Sequence, residues 1–290
     1  MIRKMFLSVV ALGVLAVSCS DNDDNESTTS GLTLNLEGLE ALGDDFVYEG
    51  WIIVDEQPVS TGTFTSVDFP QTFQVNTSQL EEATDFVLSI EPADDSDPEP
   101  AATKILSGTF SGDSATVNSN AMVGDFGTST GTYILATPTD TDDTNEESGV
   151  WFLDNSSGSA MAGLDLPTLS DGWKYEGWVV MNEMAISTGT FTDPASADDN
   201  AATSVYKGDD NDGPSFPGED YLQNPPSGLT FPTDLKGTTI VISVEPYPDN
   251  NASPFTIKPL AHVVPSDAAD HTAITMEDGP LASLSGTVVR

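Results

Sequence analysis

The chain has one cysteine, Cys19, in 290 residues. No disulfide can form within it, so stability must come from a packed core. Basic residues are scarce too: 8 Lys and Arg stand against 47 Asp and Glu, for a formal net charge of −39. Such a surface repels nucleic acid and anionic membranes, and nucleic acid is excluded as a partner. High salt screens its self-repulsion, which suits a saline habitat. There are 2 histidines, His262 and His271; neither has zinc-ligand spacing, and there is no cysteine beside them to complete such a site. No Gly-rich loop of the phosphate-cradling kind follows a strand. No apolar run reaches the roughly 20 residues needed to span a bilayer. Extended stretches with a 3.6-residue apolar period are lacking, and 19 prolines and 24 glycines oppose long helices.

What is present begins with a leader. Arg3 and Lys4 precede an apolar run of 13 residues, Met5 to Val17, the pattern of a signal peptide over 1–18. Ala16-Val17-Ser18-Cys19 resembles a bacterial lipobox, with Leu15 one position early. Cys19 is expected to be the mature N-terminus and the lipid attachment point; the plainer alternative is simple cleavage near Ser18. Two or more acyl chains would make the anchoring stable. Residues 19–31 read as an acidic, disordered tether, similar to the export signals of some surface lipoproteins. The expected location is the cell envelope, lipid-anchored in the outer membrane and exposed at the surface. Without the leader, 6 basic residues face 47 acidic ones.

The rest of the chain contains one unit twice. Tyr48 to Thr65 and Tyr175 to Thr192 agree at 11 of 18 positions without a gap. Ser89-Ile90-Glu91-Pro92 then matches Ser243-Val244-Glu245-Pro246, and Lys104 matches Lys258, at an offset enlarged by 27 residues. Ser129 to Tyr133 resembles Leu284 to Val288. Copy one is read as 32–138 and copy two as 163–290, joined by a linker, 139–162, whose apolar Val150 to Leu153 is a strand able to pair with either copy. Runs rich in aromatic and β-branched residues, bounded by Gly, Pro, Asp, Asn and Ser, predict strands. The expected fold is all-β, two tandem β-sandwich-like domains, with one helical turn near Ser78 to Thr84. The extra residues of copy two form an acidic, Pro-rich loop, about 195–233. A loop of that length is functional or disordered, and Phe216, Tyr221 and Phe231 predict that it packs against something.

The order Tyr-x-x-Trp, Gly-x-Phe, and an apolar strand ending in Glu-Pro occurs at Tyr48, Trp51, Gly62, Phe64, Glu91 and Pro92. It recurs at Tyr175, Trp178, Gly189, Phe191, Glu245 and Pro246. This order resembles the extracytoplasmic C-terminal domain of the anti-sigma-K factor family. The Gly-Gly-Ser turn typical there is replaced by Ala93-Asp94-Asp95-Ser96 and Tyr247-Pro248-Asp249-Asn250. The cytoplasmic sigma-binding domain and transmembrane helix of that family have no counterpart. The resemblance therefore implies a shared extracytoplasmic module without direct sigma-factor inhibition.

Positions two apart in a strand share a face, so Trp51 and Trp178 read as core anchors and Gly62 and Gly189 as a turn or bulge. Glu49 and Glu176 sit in apolar strands, and Glu91 and Glu245 end them. A buried carboxylate needs a partner, and Lys104 and Lys258 occupy equivalent positions. Structural ion pairs are therefore expected, Lys104 with Glu49 or Glu91, and Lys258 with Glu176 or Glu245; chance exposure of all six is the alternative. As carboxylate pairs these glutamates are the only candidates for glycoside hydrolysis, but they belong to a duplicated scaffold without a recognisable cleft, and no enzyme is expected. No cofactor is expected either, with calcium as the one ion to consider. Asp209, Asp210, Asp212, Glu219 and Asp220 are its candidate ligands, and a solvated acidic loop is the simpler reading. Two functions remain: a non-catalytic envelope module that binds or relays between proteins, or a surface protein that binds glycan or peptide through the copy-two loop.

Overall fold

The computed structural model describes residues 28–248 and 251–290. The leader 1–18, Cys19 and the tether as far as Ser27 lie outside them. The fold is all-β. The first half supplies β1 (Thr29–Glu37), β2 (Phe46–Val54), β3 (Gln57–Phe64), β4 (Gln71–Asn76), the short helix α1 (Thr77–Glu82), β5 (Asp85–Pro92), β6 (Lys104–Ser111), β7 (Ser114–Asn118) and β8 (Thr130–Leu135). The second half adds β9 (Gly149–Trp151), β10 (Leu153–Asp154), β11 (Met161–Ala162), β12 (Leu164–Asp165), β13 (Trp173–Met181), β14 (Met184–Phe191) and β15 (Gly218–Asp220). It ends with β16 (Thr239–Pro246), β17 (Lys258–Val263), β18 (Ile274–Thr275), β19 (Glu277–Leu281) and β20 (Ser285–Val289). No helix of the described residues is long and apolar enough to cross a membrane.

Alternation sets the strands. In β1, Leu32, Leu34 and Leu36 are buried while Gly31, Asn35 and Glu37 are exposed, the two-residue period of a half-covered sheet. The hairpins β2–β3 and β13–β14 turn through Asp55-Glu56 and Asn182-Glu183, all four at positive φ of 50–67°, the geometry of a two-residue hairpin turn. A single apolar cluster runs through both halves, from Leu32, Tyr48 and Phe86 to Phe152, Tyr175 and Phe191.

The sheets are not consecutive along the chain. Copy one forms an eight-stranded sheet in the order β3-β2-β5-β6-β7-β20-β1-β4. Its sixth strand, β20, comes from the far end of the sequence and pairs on both edges, with β7 and with β1. Copy two has the order β14-β13-β16-β17-β19, and β18, just before β19, pairs with β8 from copy one. The two arrangements are equivalent: Leu36 pairs with Gly286 in β1·β20, and Leu164 with Gly131 in β12·β8. Each copy thus lends its final strand to the other. Arg290 secures the loan: its guanidinium donates to the carbonyls of Leu80 and Ala83, which close α1, at 2.7 and 2.8 Å, and lies over the Phe110 ring.

This pairing moves the boundaries read from the sequence. β1 starts at Thr29, inside the stretch assigned to the tether. β9 falls in the presumed linker, yet it pairs with β8 and β15 and occupies the place in copy two that the start of β1 holds in copy one. Copy two therefore begins near Gly149. The long loop is ordered by β15, which stands where β4 stands in copy one.

Candidate functional site

The repeated residues form the same polar chain in each copy. In copy one the Trp51 indole donates to Ser89 Oγ at 2.8 Å, and Ser89 donates to Glu91 Oε1. The Ala101 N–H donates to the same oxygen at 2.9 Å, and Lys104 Nζ donates to the Ala101 carbonyl at 3.0 Å. In copy two Trp178 donates to Ser243 at 2.8 Å, Ser243 to Glu245, the Phe255 N–H to Glu245 at 2.9 Å, and Lys258 Nζ to the Phe255 carbonyl at 2.6 Å. In each copy lysine and carboxylate grip the backbone of one intervening residue, Ala101 or Phe255. The N–H of that residue serves the carboxylate, and the carbonyl of the same residue serves the ammonium. Glu91 is 1% exposed, and burial raises its pKa above the ordinary carboxylate range.

Glu49 and Glu176 hold the neighbouring bulge. Each accepts from a serine, Ser60 or Ser187, whose oxygen accepts from the N–H of Gly62 or Gly189 at 3.2 and 3.0 Å. The register shifts at this point in both hairpins, and the two glycines stand at φ of 114° and 125°. Tyr48 and Tyr175 point the other way and tie down the loop before their strand, at the carbonyls of Glu40 and Pro167.

Both polar chains end at one place. Ala101 and Phe255, with Pro92 and Pro246, line a cleft of about 520 Å³ between the copies. Thr256 donates to the Gly38 carbonyl at 2.8 Å and Trp173 to that of Lys104 at 3.3 Å beside it. A Cβ on Gly172, itself at φ 87°, would lie 2.8 Å from the backbone of Ala102, so the copies touch here without side chains between them. The cleft follows from one sequence difference. In copy two Trp173 and Phe255 pack ring to ring, with centroids 6.0 Å apart. Copy one has Phe46 and Ala101 in the equivalent positions, and the methyl group leaves open space. One wall is the loop between β1 and β2, carrying Glu40, Asp44 and Asp45; the other holds Tyr247, which is 53% exposed.

The five calcium candidates do not converge. Among the described residues no group of three or more His, Cys, Asp or Glu is placed to hold a metal ion. Asp209 and Asp210 are exposed, and Asp212 pairs with Lys207 at 2.9 Å. Asp220 is buried and accepts from the Thr139 N–H at 2.9 Å and the Trp151 indole at 2.7 Å. Glu219 is buried against Ser204. Burial raises Asp220 to about 6 and Glu219 to about 8, and Asp198 alongside to about 6. Glu219 and Asp220 thus tie the loop to Ser204, Thr139 and Trp151. Its aromatics do the same: Tyr221 is fully buried and packs on Tyr206 and Phe231, while Phe216 packs against the small cluster of Ile134, Ala136, Trp151 and Leu153. Sequence reasoning missed Ser89, Ser243 and the cleft, although both serines stand inside the matched Ser-x-Glu-Pro segments.

Residues 11–105 match the family model described as anti-sigma-K factor RskA, C-terminal. The match covers about a third of the chain and contains every copy-one residue of the shared pattern. Copy one therefore carries an anti-sigma-factor-like module, as the resemblance implied. No curated protein and no solved structure matches the chain.

Proposed function

We propose that this chain is a non-catalytic lipoprotein of the cell envelope, anchored through Cys19, whose two repeats together form a protein-interaction module associated with signalling. The cleft between the copies carries this reading: it lies where both Glu-Pro corners meet, and one side belongs to the segment matched by the anti-sigma-K model. The repeated polar chains serve to hold the cleft walls. A glycosidase needs its acid and its second carboxylate open to substrate, and Glu91 and Glu245 are each 1% exposed. With its aromatics packed inward, the copy-two loop supports the glycan-binding alternative less well.

A photo-crosslinking side chain at position 101 in cells tests the reading. It is expected to capture a specific envelope protein that the same group at Asp210 does not. Absence of any adduct from position 101 would defeat it. Membrane fractionation of Cys19→Ala checks the anchor, with release from the membrane expected.

A further inference from the structure

We infer that the cleft between the copies binds a protein segment through one aromatic side chain, whose ring seats against Phe46 beside Ala101 as Phe255 seats against Trp173 in copy two. This rests on the interaction reading above and names the partner's chemistry. The two copies hold the backbone at this place in the same way. Glu91 accepts from the Ala101 N–H and Lys104 donates to the Ala101 carbonyl; Glu245 and Lys258 do the same at Phe255. In copy two that backbone carries a ring, and both members of the ring pair are covered, Trp173 and Phe255 each at 3% exposure. In copy one it carries a methyl group, and Phe46 and Ala101 both stay partly exposed. Copy one thus keeps the scaffold that presents a ring and lacks the ring.

The open space is apolar where the ring would enter. Phe46, Ile90, Pro92 and Ala101 line it from copy one, and Pro246 and Phe255 from copy two. Apolar surface of this kind gains from being covered, and aromatic rings pair edge-on or offset with a gain beyond area burial. Phe46 and Phe255 are both there to be paired with. The volume, about 520 Å³, lies within the roughly 300–1,000 Å³ of ligand pockets. It is far more than one ring fills, so the ring arrives with flanking chain.

The test is titration of the mature chain, followed by NMR at the amides of Phe46, Ile90 and Ala101. The probes are the capped pentapeptide Gly-Ser-Phe-Ser-Gly, the same peptide with Leu or Ala in place of Phe, and p-cresol as a free ring. At millimolar concentration the Phe peptide is expected to shift these amides. The Leu peptide should bind about tenfold more weakly and the Ala peptide not at all. Ala101→Phe, which supplies the ring from within as copy two does, is expected to abolish binding and raise the melting temperature by about 2–4 °C. Equal binding of the Leu and Phe peptides overturns the proposal. So does p-cresol that binds as tightly as the Phe peptide, which would assign the cleft to a free aromatic molecule. A lowered melting temperature in Ala101→Phe, or its failure to fold, also overturns it, because a ring would then have no room beside Phe46. Binding that survives in a stabilised Ala101→Phe places the peptide elsewhere and does the same. If no peptide binds while crosslinking from position 101 still captures a partner, the aromatic occupant is wrong and the interaction reading stands. If both fail, both fall.

Discussion

At the scale of single residues, the duplicated pattern is a set of hydrogen-bonding roles. Ser89 and Ser243 are its centre, each taking an indole proton and giving its own to a buried carboxylate. Ser89→Ala leaves the Trp51 N–H without an acceptor and removes one of two donors to Glu91. Such a loss costs about 1–3 kcal/mol, and urea denaturation is expected to show it; Ser243→Ala should do the same. A change below a few tenths would mean that the chain of bonds is ornamental. The glutamates, tryptophans and lysines were legible because they repeat against a changed background. The serines repeat too, but a small polar residue in a strand carries no signal of which neighbour it serves. The backbone between lysine and carboxylate was invisible for a different reason: a charge pair suggests direct contact, and nothing in composition marks a competing N–H.

At the scale of elements, the two bulges share a sequence and differ in tolerance. Gly62 has φ 114°, and an added Cβ meets only Phe73 at 3.6 Å. Gly189 has φ 125°, and its Cβ would come within 2.1 Å of Asn200 and 2.7 Å of Asp198. Gly62→Ala is therefore expected to cost about 1–2 kcal/mol from backbone strain alone, and Gly189→Ala clearly more, as read from paired melting curves. The inserted loop brings a pH dependence. Asp198 and Asp220 titrate near 6 and Glu219 near 8 in the folded chain, raised mainly by burial. The folded form thus holds these protons more tightly than the unfolded form. Their stabilising effect is complete below about pH 4 and is lost as pH rises through 6 to 8. Urea midpoints are expected to fall between pH 5 and pH 9, even in 0.5 M salt, which screens the general surface repulsion. Glu219→Gln should remove the part of the fall nearest pH 8; an unchanged slope would exclude Glu219 as its source. Packing of the loop was legible from its aromatics, whereas a dense run of aspartates looks the same whether it binds an ion, faces water or anchors a turn.

At the scale of the whole molecule, the all-β class and the duplication were readable, and the wiring was not. Internal similarity identifies β8 and β20 as equivalent but says nothing of which copy each one serves, since equivalent strands fit equivalent slots. Removing 284–290 tests the exchange. Hydrogen exchange is expected to accelerate in β1 and β7, more than 150 residues away in sequence, while β13 and β16 keep their protection. Faster exchange confined to copy two would restore the simple tandem arrangement.

The exchanged strand also sets a timetable. A chain is made from its N-terminus, and domains usually fold as they emerge. Here the sheet that holds β1, the first of the described strands, keeps a gap between β7 and β1 until residues 285–289 have been made. Leu34, Leu36, Ala115 and Val117 wait beside that gap. The early half of the protein is thus the last to finish, a nascent chain stalled before β20 offers two unsatisfied strand edges to any neighbour, and safe release depends on completing the far end.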